Sequence, residues 1–223
     1  ANTPTNAILM AKTTQAGIPE SAVYKDKLGR TLRTRTEGFS GEVILQDISY
    51  NTRGLKTGES TPYIAGSSGY TTQYLDYDIL GRPGSKISPQ TDGTLTATYT
   101  YNGLTTDIDT TVTDGFALHM SRTYNSKNQL IQTTDDAGGE TRYVYNGGGS
   151  PIVIQDAAGI SIFALYDELG RKHRVDDPNQ GITNFTYNSF GELYSETDAN
   201  AATINYETDP LGRVTKRTTA TSE

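Results

Sequence analysis

The chain has 223 residues, with 26 acidic side chains against 19 basic ones and a formal charge of −7; its Lys and Arg are scattered singly, which argues against the clustered basic surface that nucleic acid or an anionic membrane requires. It has no cysteine, so neither a disulfide framework nor a thiolate metal site is available, and no apolar run approaches the ~20 residues of a membrane helix. Fifteen Tyr, five Phe and 23 Gly, with no Trp, favour strands joined by tight turns over a helical or disordered chain.

In chain order, residues 1–20 form an irregular lead-in with one turn signal at Gly17-Ile18-Pro19. No leader peptide is visible there, and a start at Ala1 rather than Met reads as part of something longer. From residue 21 a motif takes over, in which Tyr is followed by Asp or Asn, then Gly, then Arg or an apolar residue. Its first copies are Lys25-Asp26 after Tyr24, Tyr50-Asn51, Tyr77-Asp78 and Tyr101-Asn102. Their spacings of 25, 27, 24 and 23 residues imply insertions in the loops of residues 21–123. From Tyr124-Asn125 the register is regular, with Tyr145-Asn146, Tyr166-Asp167, Tyr187-Asn188 and the degenerate Thr208-Asp209 each 21 residues after the last. The fullest copies read KDKLGR (25–30), YDILGR (77–82), YDELGR (166–171) and TDPLGR (208–213). Residues 1–223 are therefore read as one repeat array, regular over 124–223.

Each 21-residue unit contains two strand-like runs and two turns, so one unit is one hairpin and its connector. In residues 181–198, Thr183, Phe185 and Tyr187 alternate with Ile182, Asn184 and Thr186, the period of a strand. After the turn at Asn188–Gly191 the chain is expected to return with Leu193, Ser195 and Thr197 on one face and Tyr194 and Glu196 on the other. The same phase places Tyr99 beside Tyr101, and Tyr143 beside Tyr145, so tyrosines are expected to line one side of a sheet. Gly81, Gly170 and Gly212 precede Arg where a turn needs positive φ, and the neighbouring Asp or Asn closes the turn on its own backbone. A ring burying roughly 150–250 Å² stabilises by several kcal/mol at most, which offsets a hairpin's ordering entropy only when neighbours cover both sides. A lone unit should not fold.

Catalytic and binding readings fare less well. His119 and His173 have Asp and Ser within a few tens of residues but no nucleophile-elbow motif. The 26 acids offer many carboxylate pairs, yet most lie in turns. Asp135-Asp136-Ala137-Gly138-Gly139 and Asp176–Gly181 concentrate oxygen donors without the order of a known calcium loop. Asn146-Gly147-Gly148-Gly149-Ser150 lacks the ending of a phosphate-binding loop and is read as a substitute for the Asp-x-Leu-Gly turn. No catalytic, cofactor-binding or metal-ligating residue is assigned.

The YDxLGR units resemble the YD repeats of the Rhs family, found in bacterial polymorphic toxins, insecticidal Tc toxin complexes and teneurins, over about residues 17–223. The resemblance implies an all-β fold of tandem antiparallel hairpins forming a curved, spiralling sheet, part of a hollow shell. In the bacterial members the shell encloses a C-terminal toxin. A self-cleaving core with catalytic aspartates often follows the repeats, but Asp177-Pro178 and Asp209-Pro210 lie in repeat turns without that segment's surroundings. The expected role is thus structural and non-enzymatic, with neighbouring repeats and a C-terminal toxin or effector of a parent protein as partners, outside the cell or on its surface. The alternative is a carbohydrate-binding or adhesion module that stacks a glycan on the tyrosine face. As a segment of such a sheet, the chain is also expected to self-associate through edge strands or that face.

Overall fold

The computed structural model describes residues 3–220. No helix occurs among them. The strands are β1 (Leu9–Gln15), β2 (Ile18–Lys25), β3 (Thr31–Glu37), β4 (Val43–Tyr50), β5 (Lys56–Ser60), β6 (Tyr63–Ile64), β7 (Thr71–Leu75), β8 (Ser85–Gln90), β9 (Gly93–Asn102), β10 (Thr105–Val112), β11 (Ala117–Tyr124), β12 (Leu130–Thr134), β13 (Glu140–Tyr145), β14 (Pro151–Gln155), β15 (Ser161–Tyr166), β16 (Lys172–Asp177), β17 (Gly181–Tyr187), β18 (Leu193–Thr197), β19 (Thr203–Thr208) and β20 (Val214–Ala220). The fold is all-β, built from antiparallel hairpins taken in chain order. Two compact units result: the N-terminal one runs to Tyr101 and includes Asp107–His119, and the C-terminal one comprises Asn102–Thr106 and the chain from Met120.

In the N-terminal unit the lead-in is more regular than its composition suggests. Leu9–Gln15 pairs with β2 through a turn at Ala16-Gly17, so Ile18 and Pro19 already belong to a strand. The larger surprise is β4, which has two partners on one edge. Leu45 and Ile44 face Tyr63 and Ile64 of β6, whereas Ile48, Ser49 and Tyr50 face Glu59, Gly58 and Lys56 of β5. The 27-residue spacing between Tyr50 and Tyr77 houses this branch.

In the C-terminal unit β12 to β20 pair each with the next. The expected alternation holds on the way into each Tyr turn: Thr183, Phe185 and Tyr187 are half-buried while Asn184 and Thr186 are exposed. It does not hold on the way out. Tyr187 faces Leu193 but Thr186 faces Ser195, which leaves Tyr194 as a β-bulge. Ser195 therefore shares a face with Thr186, their hydroxyls 2.7 Å apart, and Glu196 comes opposite Phe185. The bulge separates Leu193 from the face assigned to Ser195 and Thr197. The same shift recurs at Tyr50, Tyr124, Tyr145, Tyr166 and Thr208, and each such bulge increases local twist.

With one sheet layer there is little interior. The buried apolar side chains are Ala22, Tyr24, Leu45 and Ala97, and no large side chain among the described residues is wholly buried. The tyrosine side is shielded by lateral contact within the sheet, as where Tyr99 and Tyr101 stack with ring centres 6.4 Å apart.

Candidate functional site

The feature that most repeats position is a five-residue turn after the tyrosine; the Tyr101 copy instead closes in two residues, Gly103-Leu104, between β9 and β10. At Asp167 the backbone N–H donates to the Arg171 carbonyl at 2.8 Å, while the Gly170 N–H donates to the Asp167 carbonyl at 2.9 Å. One carboxylate oxygen, Oδ1, accepts from the N–H groups of Leu169 (3.0 Å) and Arg171 (2.8 Å). The other, Oδ2, is held by Nε and NH2 of Arg171, each at 2.7 Å. The aspartate thus closes the turn with its backbone, its first oxygen and its second. Gly170 sits at φ 77°, a left-handed conformation in which a Cβ is costly. Asp26/Arg30 and Asp209/Arg213 repeat this geometry, and Asp78 likewise holds the N–H and Nε of Arg82.

Where the aspartate becomes asparagine, the partner changes with it. Asn125 donates from Nδ2 to Gln129 Oε1 at 2.8 Å, and Asn188 does so to Glu192 Oε2 at 2.7 Å. An acceptor-only carboxylate takes a donor-only guanidinium, and an amide takes an acceptor. The Arg position, read from the sequence only as a landmark, is the other half of the turn. Asn128 and Ala201, at φ 59° and 61°, occupy the glycine position of their turns. The glycine run also folds as this turn, with Ser150 N–H on Asn146 Oδ1 at 2.9 Å and Gly149 at φ 89°.

Successive turns are interlocked. The tyrosine hydroxyl donates to the backbone carbonyl just past the preceding turn: Tyr101 to Pro83 (2.9 Å), Tyr145 to Leu130 (2.7 Å), Tyr166 to Pro151 (2.9 Å), Tyr187 to Lys172 (2.7 Å), and Tyr77 to Lys56. The preceding arginine lies over the same ring, Arg82 over Tyr101 at 4.0 Å and Arg171 over Tyr187 at 4.6 Å, in cation–π geometry. Arginine therefore serves its own turn and the next tyrosine together. In the degenerate repeat Thr208 takes the tyrosine's place and donates to Glu192 at 2.8 Å.

These contacts set the charges. The Arg30 side chain, with backbone N–H donors, holds the Asp26 carboxyl below its usual range, and the Arg213 side chain does the same for Asp209. At Asp78 the Arg82 backbone N–H leads, joined by its side chain. Partial burial opposes ionisation of Asp167, but the Arg171 backbone and side-chain bonds prevail and lower it. Burial pushes the Tyr77 and Tyr101 phenols up.

The branch at β4 makes a second locality. Asp47 receives Arg33 at both oxygens, through Nε and through NH2 at 2.7 Å, and the Tyr63 hydroxyl at 2.5 Å; its own N–H donates to buried Ser60 at 2.8 Å. Burial works against the Asp47 charge, yet the bonds from Arg33 and Tyr63 leave its carboxyl lowered. This network ties β6 back to β3 and β4 beside a cleft of about 970 Å³ lined in part by Asp26, Arg30, Arg33, Asp47, Tyr50 and Ser60. Carboxylates held below their usual range are poorly matched to proton transfer near neutrality.

The other sequence candidates are dispersed. His119 pairs with Asp109 at 2.8 Å, both exposed. His173 occupies the bulge of the Tyr166 turn. Asp135 caps its turn through the N–H groups of Ala137 and Gly139, and Asp177 through that of Asn179, so the oxygen-rich segments are turn locks. Among the described residues no three His, Cys, Asp or Glu side chains converge as a metal site, and no helix is long and apolar enough to cross a membrane.

Tandem hairpins interlocked by a Tyr-Asx-x-x-Gly turn define a YD-shell type of β-protein. The sequence profile described as Teneurin YD-shell matches residues 45–223, and the chain belongs to that family. Its fold is similar to the crystal structure of TcdB2-TccC3-Cdc42 (TM-score 0.64, 14% identity, 92% of this chain and 13% of that one). It is also similar to TcdB2-TccC3 without its hypervariable C-terminal region (TM-score 0.61, 17% identity, 93% and 12%). The chain thus spans about an eighth of those structures' length. No curated protein matches it.

Proposed function

We propose that the chain is a wall segment of a β-shell whose role is to enclose a toxin or effector domain of the same parent protein, outside the cell or on its surface, and that its residues are scaffold and not catalyst. The observation that carries this reading is the interlock itself: turn after turn closes on its own Asx, and Tyr77, Tyr101, Tyr145, Tyr166 and Tyr187 each bond back to a carbonyl just past the preceding turn, an arrangement that extends a sheet by repetition. The likeness in fold to TcdB2-TccC3 supports it. A glycan-stacking role for the tyrosine face is disfavoured, because the Tyr101 and Tyr187 rings on which a sugar would stack already carry Arg82 and Arg171 over one face. The outer edges of β1 and β20 are expected to take neighbouring strands.

The test is limited proteolysis of the parent protein with and without the four repeats of residues 124–207. Loss of protection of a distinct domain on deletion is the expected result. Unchanged protection, with the rest of the fold intact by circular dichroism, would refute enclosure by this wall.

A further inference from the structure

Two Asn-Gly pairs, Asn102-Gly103 and Asn146-Gly147, look alike in the sequence and are held differently in the fold. Such a pair can cyclise by attack of the glycine amide nitrogen on the asparagine Cγ, and glycine, having no Cβ, shields that nitrogen least. Asn102 is the last residue of β9, and Gly103 at φ 63° belongs to a two-residue turn closed by β10. Forming a ring there rotates the Asn102 peptide and breaks the adjacent rungs between β9 and β10. Asn146 lies outside the strands, in a five-residue turn where Gly147, Gly148 and Gly149 follow it. Three residues without Cβ absorb a peptide rotation at low steric cost.

The bonds around Asn146 also favour the reaction. Gly149 N–H donates to the Asn146 carbonyl at 3.1 Å, which stabilises negative charge spread over that peptide when the Gly147 nitrogen gives up its proton. Ser150 N–H donates to Oδ1 at 2.9 Å, where the addition step places an oxyanion; backbone donors so placed lower such barriers. The leaving nitrogen is unheld, since Nδ2 of Asn146 has no partner among the described residues. Asn125 and Asn188 instead commit theirs to Gln129 and Glu192. Their next residues are Ser126 and Ser189, and that of Asn51 is Thr52, each with a Cβ beside the attacking nitrogen. Gly147 is exposed on a groove of about 380 Å³ shared with Lys127 and Gln129, so water reaches the product.

We infer that Asn146 is a self-modifying site, which converts to aspartate and isoaspartate through a cyclic imide. The bond between Gly147 N and Cγ forms, the Cγ–Nδ2 bond breaks, and the Gly147 proton leaves with Nδ2 as ammonia. One water then opens the ring: attack on Cγ gives aspartate, and attack on the main-chain carbonyl carbon gives isoaspartate. The fold tolerates the first product, because Asp135, Asp156 and Asp198 close five-residue turns through Oδ1 with Gly139, Ile160 and Ala202, not a cation, at the fifth position. Isoaspartate runs the main chain through its own Cβ and adds an atom between the paired residues Tyr145 and Pro151. It therefore opens the β13–β14 hairpin beside the Pro151 carbonyl that receives the Tyr166 hydroxyl, and one link of the interlock loosens. This inference does not depend on what a shell encloses.

Incubation of the full chain in warm, mildly alkaline buffer, followed by peptide mapping that separates aspartate from isoaspartate, tests it. Asn146 is expected to convert ahead of Asn102, although Asn102 is the more exposed side chain, and to yield both products. Gly147→Ala is expected to slow conversion on the order of tenfold. The added Cβ meets nothing within 4 Å and the Gly147 backbone is not left-handed, so circular dichroism should not change. In urea, where the fold is lost, Asn102 and Asn146 are expected to convert alike. Hydrogen exchange over residues 140–155 should rise in the isoaspartyl fraction and stay at the parent level in Asn146→Asp. Native conversion led by Asn102, a single aspartyl product, an unaffected Gly147→Ala protein, the same preference for Asn146 in urea, or equal exchange in the two product forms would overturn the inference.

Discussion

Residues 24–101 and residues 124–213 share a turn but solve the problem of cohesion differently. In the first region Ala22, Tyr24, Leu45 and Ala97 lie close by or within it as the chain's buried apolar groups, and a branch adds the Arg33, Asp47 and Tyr63 network. In the second no apolar side chain among the described residues is buried, and the hairpins are held by turn bonds, tyrosine hydroxyls and the Arg171 guanidinium over the Tyr187 ring. The clamp is the same in both: Tyr77 and Tyr101 reach back 21 and 18 residues to their carbonyls, and Tyr145, Tyr166 and Tyr187 reach back 15. Extra residues are therefore accommodated away from the Asx-turn edge. In these copies length varies at one end of the strands and the Asx turn is kept at the other; the turn after Tyr101, shortened to Gly103-Leu104, departs from it.

The contrast is most directly broken at the turn glycine. Gly170→Val places a β-branched residue at positive φ and is expected to cost about 2 kcal/mol, read by chemical denaturation. In the N-terminal region Asp47→Ala removes the partner of half-buried Arg33; because Asp47 is itself more than a third exposed, the loss is expected at about 1–2 kcal/mol. Hydrogen exchange after this change should rise around β3, β4 and β6 and stay unchanged over residues 124–213. If protection fell equally in both regions, the division into separately held parts would be wrong.

A finer test concerns partner choice within the turn. Asn188→Asp opposes a second carboxylate to Glu192 and is expected to destabilise by about 1 kcal/mol, with recovery in Asn188→Asp/Glu192→Arg, which recreates the Asp/Arg turn. Failure of the double variant to recover would show that the two pairings are not interchangeable. The smallest effect is pH dependence. Asp26, Asp78, Asp167 and Asp209 have lowered folded pKa values, so their contribution is complete above the unfolded value of about 3.9 and is lost as pH falls through the lower folded ones. Tyr77 and Tyr101 are raised, so theirs is complete below about pH 10 and is lost as pH rises through the folded values. Melting temperature should therefore fall below about pH 4 and above about pH 10, and the acid limb should flatten in Asp167→Asn.

The hairpin array was legible because period-2 alternation and turn residues are local signals, as Phe185, Tyr187 and Gly191 show. The bulge was not, since Leu193-Tyr194-Ser195 reads as an ordinary strand until its partner's register is known. The role of Arg171 left a trace that could have been read: Asp pairs with Arg at positions one and five, whereas Asn125 and Asn188 pair with Gln129 and Glu192. The branch at β4 left only a long spacing, because the Arg33, Asp47 and Tyr63 contact joins residues 14 to 30 positions apart. Asp135 and Asp177 stay apart because the hairpin array sets their turns, β12–β13 and β16–β17, four strands from one another on the same edge.

The thin interior has a thermodynamic consequence. Unfolding a sheet in which no large side chain among the described residues is wholly buried uncovers little apolar surface, so its heat-capacity increment should fall below the ~12–15 cal/mol/K per residue of ordinary globular proteins. A smaller increment gives a shallower stability curve, with its maximum displaced toward lower temperature and cold unfolding moved further below freezing. Such a wall would keep nearly constant strength from a cold environment to a warm one.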